Sequence, residues 1–324
     1  MNVAIIGCGF IGQKRAIHLS EDDKIIAVCD TDISRTLKMS ANFGCRGFKE
    51  WEKAIAEPEV EAVIIATTHN LLAKIALGAV RAGKHVLIEK PGATNSKDLE
   101  VVAEEAKAKG VTVKVGFNHR FHPSMIKAQE ILSQSPAGPI MFIRGRYGHG
   151  GRVGYDKEWR AKKEIAGGGE LIDQGMHLID LSRMFMGEFT GVQGHLPTYF
   201  WDMEVEDNAF MTLTQDDGRA AWLHATWTEW KNMFSLEIYA KYAKIQIDGL
   251  GGSYGEEKLT YYRMKPEMGK PDVLEFNFPE EDKSWELEWK NFKKSIENKE
   301  RPNGDIIDCI EALKITDKLY GKDK

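Results

Sequence analysis

Three features of the sequence predict a two-domain protein, an α/β domain followed by an α+β domain. The first 120 residues alternate short apolar strands with helical segments, which is the grammar of a parallel, doubly wound sheet. From about residue 120 onward, long β-type runs follow one another with short turns between them, which predicts a mostly antiparallel sheet. The first strand also runs straight into a glycine cluster, Gly7-Cys8-Gly9-Phe10-Ile11-Gly12. The expected division is therefore residues 1–120 and 121–324.

Taken in order, residues 3–6 form a strand and 13–20 a helix, and 24–29 form a second strand ending at Asp30. Residues 33–43 and 51–56 are helical, 62–66 is a third apolar strand, and 71–82 is a helix closed by Gly83, a good C-cap residue. A strand at 85–88, a helix at 96–109 ended by Gly110, and a strand at 112–115 complete the first half. A helix at 123–133 follows. Strands are then expected at 140–147, 208–214, 220–228, 234–240, 245–248, 259–263 and 273–278, with Asp216-Asp217-Gly218 as one of the turns. A helix at 169–186 interrupts this series, and helices at 285–298 and 306–319 end it. There are no repeats and no low-complexity linker, so the two domains are expected to share an interface, with the C-terminal helix able to pack back on the first domain.

Composition narrows the function classes. A chain of 324 residues suggests two domains at roughly 150 residues each, and 42% hydrophobic against 29% charged residues excludes wholesale disorder. Lys plus Arg total 44 and Asp plus Glu 49, a net charge of −5, which argues against a nucleic acid partner. Cys8, Cys29, Cys45 and Cys309 are scattered, with no Cys/His cluster, so neither a metal site nor a disulfide framework is expected. The N-terminus lacks a basic region, and no apolar stretch of about 20 residues occurs. The expectation is a cytoplasmic protein with no membrane segment.

The glycine cluster fits G-x-G-x-x-G after a strand and at the opening of a helix, with Asp30 eighteen residues past Gly12. Gly7 permits the tight turn, Gly9 lets backbone approach a pyrophosphate, Gly12 permits close helix–strand packing, and the helix N-terminus faces negative charge. Asp30 can accept hydrogen bonds from the adenosine ribose. A glycine turn that merely joins strand to helix is the plainer reading, but it leaves the strand, the spacing and the acid unexplained. Asp30-Thr31-Asp32 carries two carboxylates that would repel a 2′-phosphate, so NAD is expected rather than NADP. Arg35 is the one nearby cation that could accept that phosphate; an exposed helix residue is its simpler role.

Four segments resemble the Gfo/Idh/MocA family, the glucose–fructose oxidoreductase and inositol dehydrogenase group: GCGFIG at 7–12, GKHVLIEKP at 83–91, GFNHRFHP at 116–123 and GGGELIDQGMHLIDL at 167–181. The resemblance implies a Rossmann domain carrying NAD and a second domain whose open-faced antiparallel sheet carries substrate contacts and oligomer interfaces. It also implies a catalytic set of Lys90, Asp173 and His177. The cofactor positions it implies are Gly7, Gly9, Phe10, Ile11, Gly12, Asp30, Thr67, His69, Asn70, Glu89 and Lys90. The sequence departs from the family at Thr67-Thr68-His69-Asn70, where Thr68 and His69 replace the usual T-P-N turn. Leu72-Ala73 stand where a histidine often follows. That departure bears on the nicotinamide side and leaves cofactor binding in place.

The residue types are compatible with this chemistry. Asp173 and His177 are spaced i,i+4 on an otherwise apolar helix, with Asp180 continuing the stripe and Leu171, Ile172, Ile179 and Phe185 available for the core. Such a pair is either a site or a buried structural couple; Gly167-Gly168-Gly169 before it would let ligand or backbone come close. Imidazole can take a hydroxyl proton near neutral pH, a lysine ammonium can hold the oxygen, and a carboxylate one turn away can orient the imidazole or bind a neighbouring hydroxyl. Lys90 at the end of a strand can equally be a surface lysine. The loop Tyr147-Gly148-His149-Gly150-Gly151-Arg152, running on to Tyr155, Trp159 and Arg160, suits an anionic sugar, or is an ordinary connection. Asn118, Arg120 and His122 could line the same cleft, although Arg120 could instead form an interdomain pair. Trp222, Trp227 and Trp230 are expected in core or interface.

The expected function is hydride transfer between NAD and a secondary alcohol or ketone of a sugar, polyol or nucleotide-sugar. An NAD-dependent glycoside hydrolase using transient oxidation and a non-catalytic NAD-binding sensor are the alternatives. A homodimer or homotetramer is expected, because an open sheet exposes apolar area unless it is paired.

Overall fold

The computed structural model describes residues 1–134 and 137–322. The chain forms two compact units, Met1–Phe117 with Trp285–Leu313, and Asn118–Ser284 with the segment from Lys314 onward.

The first unit is built on six parallel strands: β1 (Asn2–Ile6), β2 (Lys24–Cys29), β3 (Arg46–Phe48), β4 (Ala62–Ile65), β5 (His85–Ile88) and β6 (Val113–Val115), in the order β3-β2-β1-β4-β5-β6. The order reverses direction between β1 and β4, the switch point where ligands bind in such sheets. All four residues of β4 are buried, as expected of a parallel strand covered on both faces. The connecting helices are α1 (Phe10–Ile17), α2 (Ile33–Phe43), α3 (Trp51–Ile55), α4 (His69–Arg81) and α5 (Ser96–Lys109). Local chemistry sets several ends. Asp32 accepts from the Ser34 N–H to cap α2, Asn95 accepts from the Asp98 N–H to cap α5, and Gly44 and Gly110 close the two helices in the left-handed region.

The second unit contains α6 (Pro123–Gln134), α7 (Lys163–Ala166), α8 (Met176–Met186) and an eight-stranded sheet. Its strands are β7 (Ile140–Gly148), β8 (Gly191–His195), β9 (Asn208–Thr214), β10 (Ala220–Thr226), β11 (Met233–Ala240), β12 (Ala243–Asp248), β13 (Glu257–Arg263) and β14 (Asp272–Phe278). The order is β14-β13-β12-β11-β7-β10-β9-β8, and every pairing is antiparallel except β7 with β10. Alternation is clear on β11, where Phe234, Leu236, Ile238 and Ala240 are buried and the residues between them are not. Helix α8 packs on β7 and β10, where Gly145 leaves room for Leu178. The opposite face carries Arg144, Trp222, Glu237 and Tyr239.

Two further helices follow, α9 (Ser284–Asn298) and α10 (Ile306–Leu319). Trp289 and Phe292 of α9 join Val3, Ile5, Val28, Ile64 and Leu87 in the first unit's core. Among the described residues no helix is long and apolar enough to cross a membrane.

Several elements differ from the sequence reading. Helix α1 begins at Phe10, three residues before the expected start, because it springs from Gly9 itself; Phe10 is 79% exposed, so the apolar pattern gave no cue there. Helix α4 likewise begins at His69. Strands β3 and β8 were not expected, since their sequences, RGF and GVQGH, have no apolar run; each is defined by its pairing with one neighbouring strand. The helix expected over 169–186 has a π-helical turn at Leu171–Gly175 before α8. Leu171, Ile172 and Ile179 are fully buried, whereas Phe185 is only partly so.

Candidate active site

In the first unit the three glycines of the opening cluster do different work. Gly7 has φ +101°, and a Cβ there would come 2.3 Å from the Ala66 carbonyl oxygen. A Cβ on Gly12 would lie 1.8 Å from the Gly7 oxygen, so α1 can meet β1 only without a side chain at that point. Gly9 faces open space, its nearest non-neighbouring atom being an Arg35 guanidinium nitrogen at 3.9 Å. This is the division of labour a pyrophosphate cradle needs: two glycines for packing and one for approach. Gly9 caps α1 without a side-chain cap, so the first turn presents backbone N–H groups to an anion.

The Asp30 carboxylate is held at the end of β2. One oxygen accepts from the Cys8 N–H at 2.8 Å and the other from the Asp32 N–H at 2.9 Å. Burial, and then the charge of Asp30, push the Cys8 thiol up to about 12, so it stays uncharged beside the cradle. Arg35 is half-exposed and pairs with Asp32 at 3.3 Å. The Thr67–Asn70 turn abuts Gly7 and leads into α4. Thr68 donates to the Asn70 side chain, the Thr67 hydroxyl donates to the Thr68 carbonyl, and His69 is buried.

Glu89, expected beside the cofactor, is turned to Arg15, whose Nε donates to it at 2.6 Å. Arg15 also donates to Glu288 of α9 at 2.5 Å, and Lys114 lies 3.9 Å from that same carboxylate. Burial opposes the Arg15 charge, but the two carboxylates outweigh it and hold the guanidinium ionised. Lys90 follows Glu89 directly, just past the end of β5, at a cis peptide to Pro91.

In the second unit, Asp173 lies in the π turn and His177 in the first turn of α8, both buried. The Asp173 carboxylate accepts from Arg160 Nε at 3.0 Å, and the Arg160 guanidinium rests on the Trp159 ring, 4.4 Å from its centroid. The His177 ring stacks on His119, with centroids 3.7 Å apart and planes 21° from parallel. His119 Nε2 is 3.5 Å from the Tyr147 hydroxyl, and Gln174 Nε2 donates to the Tyr254 hydroxyl at 3.0 Å. Burial, then neighbouring Tyr254, raise the Tyr147 hydroxyl well above its ordinary value, and burial pushes Tyr254 up to about 12; both remain donors at neutral pH. The cluster can therefore exchange a proton at imidazole while its tyrosines stay neutral.

His119, Gln174, Tyr254 and Glu170 were not singled out from sequence. His119 lies inside the GFNHRFHP segment between Asn118 and Arg120, and Glu170 and Gln174 lie inside the segment at 167–181, so membership of those segments was their signal. Tyr254 sits in a loop with no motif.

Other expected contacts have structural partners within this unit. Arg120 forms a buried two-bond pair with Asp180, at 2.8 and 2.6 Å, so Asp180 does not extend a site stripe and Arg120 is not an interdomain pair. Asn118 donates to Ser284, and His122 lies 2.9 Å from Glu257. His149 Nδ1 accepts from the Gly151 N–H, and Arg152, 68% exposed, pairs with Glu158. Tyr155 is buried with Val205 and Trp227, so Trp227 is core, whereas Trp222 and Trp230 are 66% and 95% exposed. The glycines before the π turn serve packing: a Cβ on Gly168 would strike the Tyr320 hydroxyl, and one on Gly169 the Glu206 carbonyl, each at 2.0 Å. The Glu206 carboxylate accepts from the Gly169 and Leu171 N–H groups and so fastens the start of the turn.

Comparison with known proteins agrees with both halves. Residues 1–117 match the oxidoreductase family with an NAD-binding Rossmann fold, and residues 125–246 match the GFO/IDH/MocA C-terminal domain. Levoglucosan dehydrogenase of Pseudarthrobacter phenanthrenivorans is 30% identical over 214 residues, 61% of this chain and 54% of the relative. Inositol 2-dehydrogenase 2 of Saccharopolyspora erythraea is 30% identical over 67% of this chain and 64% of its own length. The chain thus spans between half and two thirds of these relatives. A levoglucosan dehydrogenase solved with NADH and levoglucosan superposes with a TM-score of 0.88 at 22% identity, covering 99% of this chain and 96% of that one, which is a likeness of fold.

Proposed function

The chain belongs to the Gfo/Idh/MocA oxidoreductase family, and on that premise we propose that it is an NAD-dependent dehydrogenase acting on a secondary alcohol, or the matching ketone, of a sugar, polyol or nucleotide-sugar. The observation that carries this reading is that one unit holds an open glycine cradle with Asp30, and the other holds His177 and Asp173 buried one turn apart. Relatives named for levoglucosan and inositol support the substrate class.

Bound at the cradle, NAD supplies the hydride acceptor. Gly9 admits the pyrophosphate, the first turn of α1 meets its charge, and Asp30 accepts from the ribose hydroxyls. His177 takes the proton of the reacting hydroxyl, and gives it back in the reverse direction. Lys90 donates to the reacting oxygen and offsets the negative charge that develops on it. Asp173, its charge balanced by Arg160, orients the imidazole or accepts from a neighbouring substrate hydroxyl. His149, Arg152, Trp159 and Arg160 form the proposed substrate side, where an anionic substituent would compete with Glu158 for Arg152 or with Asp173 for Arg160.

The test is NADH formation against a panel of polyols, sugars, glycosides and nucleotide-sugars. His177→Ala should lower turnover about 10²- to 10⁴-fold while NADH binding is kept. Full turnover in that variant refutes the assignment. Release of an aglycone without net NADH would favour the hydrolase alternative.

We also propose a cytoplasmic homodimer or homotetramer joined through the outer face of the eight-stranded sheet, where Trp222 is 66% and Val273 44% exposed. Sedimentation at the mass of a single chain contradicts it.

A further inference from the structure

We propose that His119 is a positioning residue that keeps His177 unprotonated, because two imidazoles stacked this closely hold at most one proton between them near neutral pH. The inference rests on the dehydrogenase reading for its kinetic consequence only. The geometry is the stacked contact itself, 3.7 Å between centroids and 21° between planes, with both rings buried. Two imidazolium charges at that separation repel by about one pH unit or more even at an effective dielectric near 20, so the second proton is deferred to lower pH. The two rings then titrate as a pair.

Most of the charged groups around the pair are matched by an opposite charge. On the same helical segment Asp173 is matched by Arg160, and Asp180 by Arg120 from the turn that carries His119. His122 on that turn is matched by Glu257 of β13, with Asp282 at 3.9 Å. Glu170 lies in the same cluster, near enough to act on Tyr147 and Tyr254. Strand β7 presents Tyr147, held neutral by its burial, and the loop after β12 presents Tyr254. Strand β11 offers Phe234, and the buried residues of β10, Ala221, Leu223, Ala225 and Thr226, carry no titratable group. A base that must accept a proton from an alcohol needs to be neutral at the working pH. A ring that competes for the proton secures that state where a lone imidazole would begin to fill.

The test replaces His119 by Phe, which keeps a ring in the stack and removes its proton, and separately by Asn, which keeps polarity without a ring. Histidine C–H resonances of the full chain are followed against pH with and without NADH, and a His177→Asn protein assigns the signal among the nine histidines. In both H119F and H119N, His177 should titrate in one step, with its midpoint about one pH unit or more above that of the unsubstituted chain. The acid limb of kcat/KM for alcohol oxidation should move the same way. A His177 midpoint that is unchanged or lower in both variants overturns the proposal. If no carbohydrate alcohol is turned over at all, the dehydrogenase reading fails, and the resonance titration still decides the role of His119.

Discussion

Substituting alanine at Gly9 and at Gly12 should give opposite failures. At Gly12 the new Cβ would sit 1.8 Å from the Gly7 carbonyl oxygen, against the 3.0 Å below which real Cβ contacts essentially never fall. The neighbouring atom is backbone, so α1 has to lift from β1 by about an ångström, an overpacking of a buried joint worth roughly 1–3 kcal/mol or more. At Gly9 the nearest atom is 3.9 Å away, at the end of the Arg35 side chain, and its φ of −71° suits any residue. Stability should therefore change by about 0.5 kcal/mol or less, as at an unencumbered surface position. The methyl group would nonetheless occupy the space a pyrophosphate must enter, and NADH affinity should fall at least tenfold, about 1.4 kcal/mol. Urea unfolding and NADH fluorescence titration of the two variants separate the effects. A Gly9→Ala protein that folds normally and binds NADH as tightly as the parent would refute the cradle. A Gly12→Ala protein of unchanged stability would refute the packing argument.

Two further outcomes follow from buried charges. Arg15→Met strands Glu89 and Glu288 without their shared guanidinium, and should cost about 3–5 kcal/mol in chemical denaturation; a loss below about 1 kcal/mol would mean that Lys114 alone suffices for Glu288. Burial would raise the Asp207 carboxyl, but it accepts from the Tyr199, Phe200 and Trp201 N–H groups and from Asn208, and these bonds hold it below its ordinary value. Its charge therefore stabilises the fold fully above the unfolded value of about 3.9, and that contribution is lost as pH falls through the lower folded value. The melting-temperature gap between the parent and Asp207→Asn should be widest at neutral pH and close below about pH 4. A gap that stays constant with pH removes the charge from the explanation.

What the sequence determined by itself was local. The apolar tetrad of β4, the glycine ends of α2 and α5, the alternation of β11 and the G-x-G-x-x-G turn each carry their cause within a few residues: burial on two faces, left-handed φ, the two-residue period of a strand, and the absence of a Cβ. For the same reason the placing of Asp173 and His177 on one helical segment was legible, though not its π turn, and so were the two sheets. Only the tertiary structure decided the rest, because it depends on pairing between residues far apart in the chain. Strands β3 and β8 exist through their neighbours' hydrogen bonds and have no pattern of their own. The return of Trp285–Leu313 to the first unit answers to Arg15, which needs Glu288, 273 residues away, beside Glu89 before its charge can be buried. His119 looked like one polar residue in a polar run until the fold laid its ring on His177. Periodicity and caps are short-range and can be read along a chain. Charge compensation and ring stacking are properties of the folded neighbourhood, and they give each polar residue of the site its partner.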